Sequence, residues 1–246
     1  TSPTAARKTS NSLAASLLAM PRGSRGISAV TTNAVSALTS VQLRALETAQ
    51  IADLSTAQVA ALTVLQLPQL STTQIQALET RDLSVLGTEQ IAKLTADQVR
   101  AFTTAQVQSL STGQVKGLTS AQVAALQTGQ VLALGTQQLA VMNSAQLGSL
   151  TTAQIRALNA DQIKSLQADQ LDGWSAEEMR SLGTDKVTML TTTQVAALTS
   201  AQVNALSTDQ LARLETQQIV ALSSDRFASL SSQLLSALTT LQVQAL

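Results

Sequence analysis

The chain has 246 residues, a net formal charge of zero and only 12% charged residues. It contains no His, no Cys and no Tyr, which excludes Ser/His/Asp and Cys/His catalysis, disulfides, and thiolate or imidazole metal sites. Balanced, sparse charge gives no electrostatic case for nucleic acid or an anionic membrane surface, and no apolar run reaches the roughly eighteen residues of a membrane span.

Residues 1–30 carry Arg7, Lys8, Arg22 and Arg25 and no acid, together with two of the three prolines. A short apolar run extends from Leu13 to Met20 and includes Leu17 and Leu18. Three readings stay open. The segment is a disordered basic tail, an arm that docks on a neighbouring subunit, or a transit peptide, which is typically rich in Arg and Ser and poor in acids. In the docking reading Arg7, Lys8, Leu13, Leu17 and Leu18 are assembly contacts. Residues 31–246 hold 11 basic and 15 acidic residues, a net −4 against +4 for the arm. That complementarity favours docking.

From Thr31 to Leu246 the chain repeats an eight-residue word 27 times without a gap. Thr119–Leu126 (Thr-Ser-Ala-Gln-Val-Ala-Ala-Leu) and Thr151–Leu158 (Thr-Thr-Ala-Gln-Ile-Arg-Ala-Leu) are clean copies. Position 8 is Leu in 24 copies, position 5 is apolar in all 27, and position 4 is Gln in 21. Thr followed three residues later by Gln is a capping box, so Thr119 with Gln122 and Thr151 with Gln154 each read as a helix start. First-turn acids such as Asp97, Asp161 and Asp169 suit the helix dipole.

One unbroken α-helix would advance about 800° per octad, so its Leu stripe would precess by about 80° per copy and leave no seam to bury. In a plain strand, positions 5 and 8 would point to opposite faces. The word therefore predicts an all-α solenoid of very short capped helices, one per octad. Each is too short to survive alone and is stabilised by stacking. Val123, Leu126, Val131, Leu134, Ile155, Leu158, Ile163 and Leu166 are the expected core. Small residues at position 7 would permit close approach, and positions 3 and 6 would face water. Stacked Gln rows could also form ladders between copies. The alternative is a β-solenoid with a corner inside each octad. The wealth of Ala and Gln and the lack of turn glycines speak against it. Gly87, Gly135 and Gly183 share position 1 at a spacing of 48, which suits two or three octads per superhelical turn.

Along the body, Pro68 falls at position 6, where a short helix would end anyway. The word is most regular from Ser71 to Leu166 and degrades around Asp169 to Leu190, where Trp174 takes a Leu position and Glu177-Glu178 replaces the usual pair. That stretch is either drift in a tolerant repeat or a partner patch of Trp174, Glu177 and Glu178 anchored by the aromatic ring. Carboxylate catalysis there is disfavoured, because adjacent helical residues do not face each other. The last word closes on Leu246 with no polar capping repeat. A continuing chain or a head-to-tail contact with another molecule would cover that end.

Leu94–Val99 (Leu-Thr-Ala-Asp-Gln-Val) resembles the start of the DNA-reading repeats of plant-pathogen effectors. Those repeats are some four times longer and include a base-reading loop that is missing here, so the likeness covers a helix start and implies no DNA binding. The ungapped octads from 31 to 246 also resemble the low-complexity arrays of large secreted or surface proteins of bacteria. That likeness implies an extracellular or surface structural protein. The expectation is a self-assembling filament, or alternatively a monomeric spacer or binding scaffold such as an adhesin stalk. It requires no cofactor, no nucleic acid and no membrane insertion, and the chain is not expected to be an enzyme.

Overall fold

A computed structural model describes residues 25–246. Arg7, Lys8, Leu13, Leu17 and Leu18 lie outside the described residues. Every element is a helix of three to six residues, and no strand occurs among the described residues. The β-solenoid alternative is therefore not realised, and the fold is an all-α solenoid of one short helix per octad.

The octad Thr119–Leu126 shows how the word folds. The Val123 N–H donates to Thr119 O at 3.0 Å, one α-type bond, and the Leu126 N–H donates to Val123 O at 3.1 Å, one tighter bond. Leu126 then turns extended (φ −57°, ψ 142°), and the N-cap of the same word, Thr119, is also extended (φ −77°, ψ 158°). Each helix stops at position 8 because the next capping box needs an extended residue at position 1. With about one turn of helix, stability has to come from neighbouring octads rather than from propensity.

The described chain forms two compact units that divide between Leu118 and Thr119. In the first, Thr48–Ala52 packs on Thr72–Ala77, Thr56–Ala60 on Thr80–Ser84, and Thr88–Lys93 on Thr112–Gly117. In the second, Thr128–Ala133 packs on Thr152–Ala157 and Ala176–Ser181 on Ser200–Ala205. All these pairs stand three octads apart. Helix packing thus recurs every three octads, the larger of the two expected numbers, while hydrogen bonds between layers reach into the fourth preceding octad. Of the three glycines at the spacing of 48, only Gly183 has a backbone conformation that calls for glycine.

Positions 5 and 8 line the core from Val35 to Leu222, and Phe227, Leu235, Leu238, Val243 and Leu246 are partly or largely exposed. Val123, Leu126, Val131, Leu134, Ile155, Leu158, Ile163 and Leu166 are all buried. Residues before Thr31 join this pattern. Arg25–Ala29 is a 3₁₀ helix, and Ile27 is buried. Counting back in eights from Thr31 places Ile27 at position 5, although no capping box announces it.

The irregular octads keep their core residues while changing helix type. Pro68 sits in the 3₁₀ helix Leu67–Gln69, where its missing N–H removes no α-helical bond, and Leu67 and Leu70 stay buried. In the second unit Ala168–Gly173 is 3₁₀. A Cβ on Gly173 would stand 1.9 Å from Ser144 O, and one on Gly148 2.2 Å from Gly173 O. Gly173, like Gly117 whose Cβ would stand 2.9 Å from Thr88 O, shows that position 7 lies against the backbone of the octad three back, which suits its mostly small residues. Gly183 has φ 84°, a conformation open to glycine, because the preceding Leu182 stays helical (φ −57°, ψ −29°) instead of turning extended.

Candidate functional site

The recurring polar element of both units is the position-4 Gln, which is buried in most copies. Its carbonyl end completes the expected capping box. The Thr119 N–H donates to Gln122 Oε1 at 2.7 Å, and the Gln122 N–H to Thr119 Oγ1 at 3.2 Å. The Thr151 N–H donates to Gln154 Oε1 at 2.6 Å, and the Gln154 N–H to Thr151 Oγ1 at 3.3 Å. Where position 1 is Gly, the Gln half persists, with the Gly87 N–H on Gln90 Oε1 at 2.7 Å.

The amide end does something that capping does not require. Gln74 Nε2 donates to Leu43 O at 2.8 Å and to Leu46 O at 2.7 Å. Gln98 Nε2 donates to Leu67 O and Leu70 O, at 2.8 and 2.7 Å. In the second unit Gln162 reaches Val131 O and Leu134 O, at 2.9 and 2.8 Å, and Gln194 reaches Ile163 O and Leu166 O, at 2.8 and 2.7 Å. The acceptors lie 31 and 28 residues back, at positions 5 and 8 of the fourth preceding octad. The anticipated ladder exists, but it runs from Gln to backbone rather than from Gln to Gln. It supplies a donor to the position-8 carbonyl and a second donor to the position-5 carbonyl, which already accepts from the position-8 N–H of its own octad. Gln58 extends it to Ile27 O and Val30 O, at 2.7 and 2.6 Å.

A second, sparser ladder uses position 6. Arg156 Nε donates to Ser181 O at 3.2 Å, Arg180 Nε to Ala205 O at 2.9 Å, and Asn204 Nδ2 to Ser229 O at 2.9 Å. Thr152, Arg156, Glu177, Arg180 and Ser181 line a shallow groove of about 440 Å³ along this edge, with both signs of charge. Lys186 takes a Gln place, donates through Nζ to Arg156 O, and is pushed below its ordinary pKa by burial.

The expected partner patch is corrected in two respects. Trp174 is only 3% exposed and fills the Leu column, so its ring belongs to the core and offers no anchor. Its indole N–H has no hydrogen-bond partner. Glu178 serves the capping box of Ala176–Ser181, its Oε2 accepting from the Ser175 N–H at 2.6 Å. Only Glu177 remains at the surface. Leu246 is 60% exposed. Sequence reasoning missed the donor half of the Gln bridge. The signal was present: Glu would cap as well as Gln, yet Gln holds position 4 in 21 of 27 copies.

One short helix per octad, with Gln bridges between layers at most octads, defines a tandem-repeat α-solenoid. Residues 35–72, 75–112, 107–136, 139–173 and 179–216 match the ALTTAQ repeat. These segments cover well over half of the chain, which belongs to the ALTTAQ repeat family. No curated protein matches it. Among the described residues no helix is long and apolar enough to cross a membrane.

Proposed function

We propose that this repeat protein is structural. It associates with further copies of itself, head to tail, into a filament outside the cell or on its surface, and performs no catalysis. The observation that carries the reading is the sameness of the interlayer bond. Most Gln residues bridge to the same two carbonyl positions in both units, so an added layer needs no new interface chemistry. A non-closing head-to-tail contact generates fibres.

The test is electron microscopy and particle mass across a concentration series. Uniform filaments are expected, and Leu241→Glu with Leu246→Glu should abolish them without changing the helical circular dichroism. Isolated rods at every concentration would overturn assembly. Deleting residues 1–24 separates the arm from the end face, since unchanged filaments would remove the arm from the joint. The second reading is a monomeric spacer or binding scaffold, for which the mixed-charge groove at Arg156, Glu177 and Arg180 is the favouring observation.

A further inference from the structure

Asp82 stands where the word has Gln, in the helix Thr80–Ser84. Its carboxylate is 0% exposed, and neither oxygen accepts a well-formed hydrogen bond, the N–H of its own N-cap residue Glu79 acting on it only weakly. Counting back 31 and 28 residues gives Ile51 and Leu54, whose carbonyls receive no Gln nitrogen because residue 82 has none to give. An ionised carboxylate is an acceptor without a donor, so this layer sets acceptors against acceptors where every bridged layer sets a donor. Such an arrangement is costly in a buried site unless a proton is added.

The charged surroundings do not remove that cost. On its own helix Arg81 is the one cation near it, with Nε 3.7 Å from Asp82 Oδ1. Arg81 is mostly exposed and is shared with Glu79 at 2.9 Å, which returns a like charge to the neighbourhood. The helices packed against Thr80–Ser84 are Thr56–Ala60 and Thr104–Ser109, and neither carries a titratable residue. The octad holding the facing carbonyls contributes Glu47 and Asp53, both acids.

We infer that Asp82 is a proton-operated latch: as the neutral acid its O–H supplies the donor that Gln supplies elsewhere toward Ile51 O or Leu54 O, and ionisation releases that layer. Burial first, and the Glu79 charge with it, push its pKa above the ordinary 3.8, against the lowering effects of Arg81 and the Glu79 backbone N–H. The sign follows from linkage. The folded state binds this proton more tightly than the unfolded chain does. The stabilisation is therefore complete below the ordinary carboxyl value and is lost as pH rises through the elevated one. The first unit thus contains one layer that loosens with rising pH, whereas the Gln bridges of its other layers are amides and do not titrate.

The experiment is amide hydrogen exchange of the whole chain from pH 4 to 8, expressed as protection factors. Protection of residues 47–54 and 79–86 should fall by about tenfold for each pH unit of difference between folded and unfolded pKa values, while residues 151–166 hold theirs. Asp82→Asn, which keeps the donor and cannot titrate, should abolish the dependence, as should Asp82→Gln, which restores the word. The side-chain carboxyl carbon of Asp82 should titrate above the ordinary carboxyl value. A flat profile in the native chain, persistence of the dependence in both variants, or a carboxyl titrating at the ordinary value would each overturn the latch. Protection that follows sodium or calcium concentration instead of pH would overturn it too, by replacing the proton with a metal ion.

Discussion

Replacing Gln162 by Glu isolates the donor half of the bridge. Glu retains the cap, since a carboxylate oxygen can accept from the Asn159 N–H, which stands 3.0 Å from Gln162 Oε1. It loses Nε2, which donates to Val131 O at 2.9 Å and Leu134 O at 2.8 Å in a side chain that is 2% exposed. Two hydrogen bonds at about 1 kcal/mol each, plus the burial of unpaired acceptors, give a loss of about 2–4 kcal/mol. Removing the cap alone, with Asn159→Ala, should cost about 1 kcal/mol. The assay is urea unfolding at neutral pH combined with exchange protection at Val131 and Leu134, because repeat arrays open locally as well as globally. A loss with Gln162→Glu no larger than with Asn159→Ala would mean that the bridges add nothing to capping and would refute the reasoning. The loss should shrink in acid, where a protonated Glu regains an O–H.

Gly173→Ala should destabilise the second unit by about 1–3 kcal/mol, since the new methyl meets Ser144 O and backbone cannot yield as a side chain end can; thermal unfolding reads this. Asp82→Gln should raise stability at pH 7 by about 1–3 kcal/mol and have little effect near pH 4, as found by denaturant unfolding at the two pH values. Trp174, the only Trp, should show blue-shifted emission that acrylamide barely quenches. Readily quenched, red-shifted emission would restore it to the surface. Trp174→Phe should change stability by less than about 1.5 kcal/mol, because the lost ring area is offset by removal of an unpaired N–H.

The fold was legible because the word states it locally. Thr119 with Gln122 announces a helix, and Leu126 followed by the next cap announces its end within the same eight letters. The apolar parity of positions 5 and 8 then places the core correctly down to single residues from Val35 to Leu222. The number of octads per turn was legible only as a choice of two or three, because it depends on how far one helix leans on the next. Of the three glycines at the spacing of 48, Gly183 relieves the helical Leu182, whereas Gly87 and Gly135 merely occupy caps with ordinary extended backbone. Trp174 misled for a related reason. An aromatic ring among aliphatic residues reads as a surface anchor only if the column has no room for it. Here Gly148 and Gly173 let the neighbouring backbones approach closely while the ring stays covered.

The Gln bridge also explains why the six departures at position 4 are not equivalent. A residue at that place has two tasks: to accept from its own cap and to donate across the layer. Gln performs both with one planar amide. Glu178 performs the first, Lys186 performs only a version of the second, and Leu234 performs neither. Asp82 is too short to complete the cap and, when ionised, has nothing to donate, yet it is the carboxylate that is buried among the described residues. A neutral substitution there would have been cheap for a repeat that uses Gln in nearly every other copy of its first unit. The acid makes that one layer responsive to protons, whereas the amide layers around it respond only to forces that unfold them.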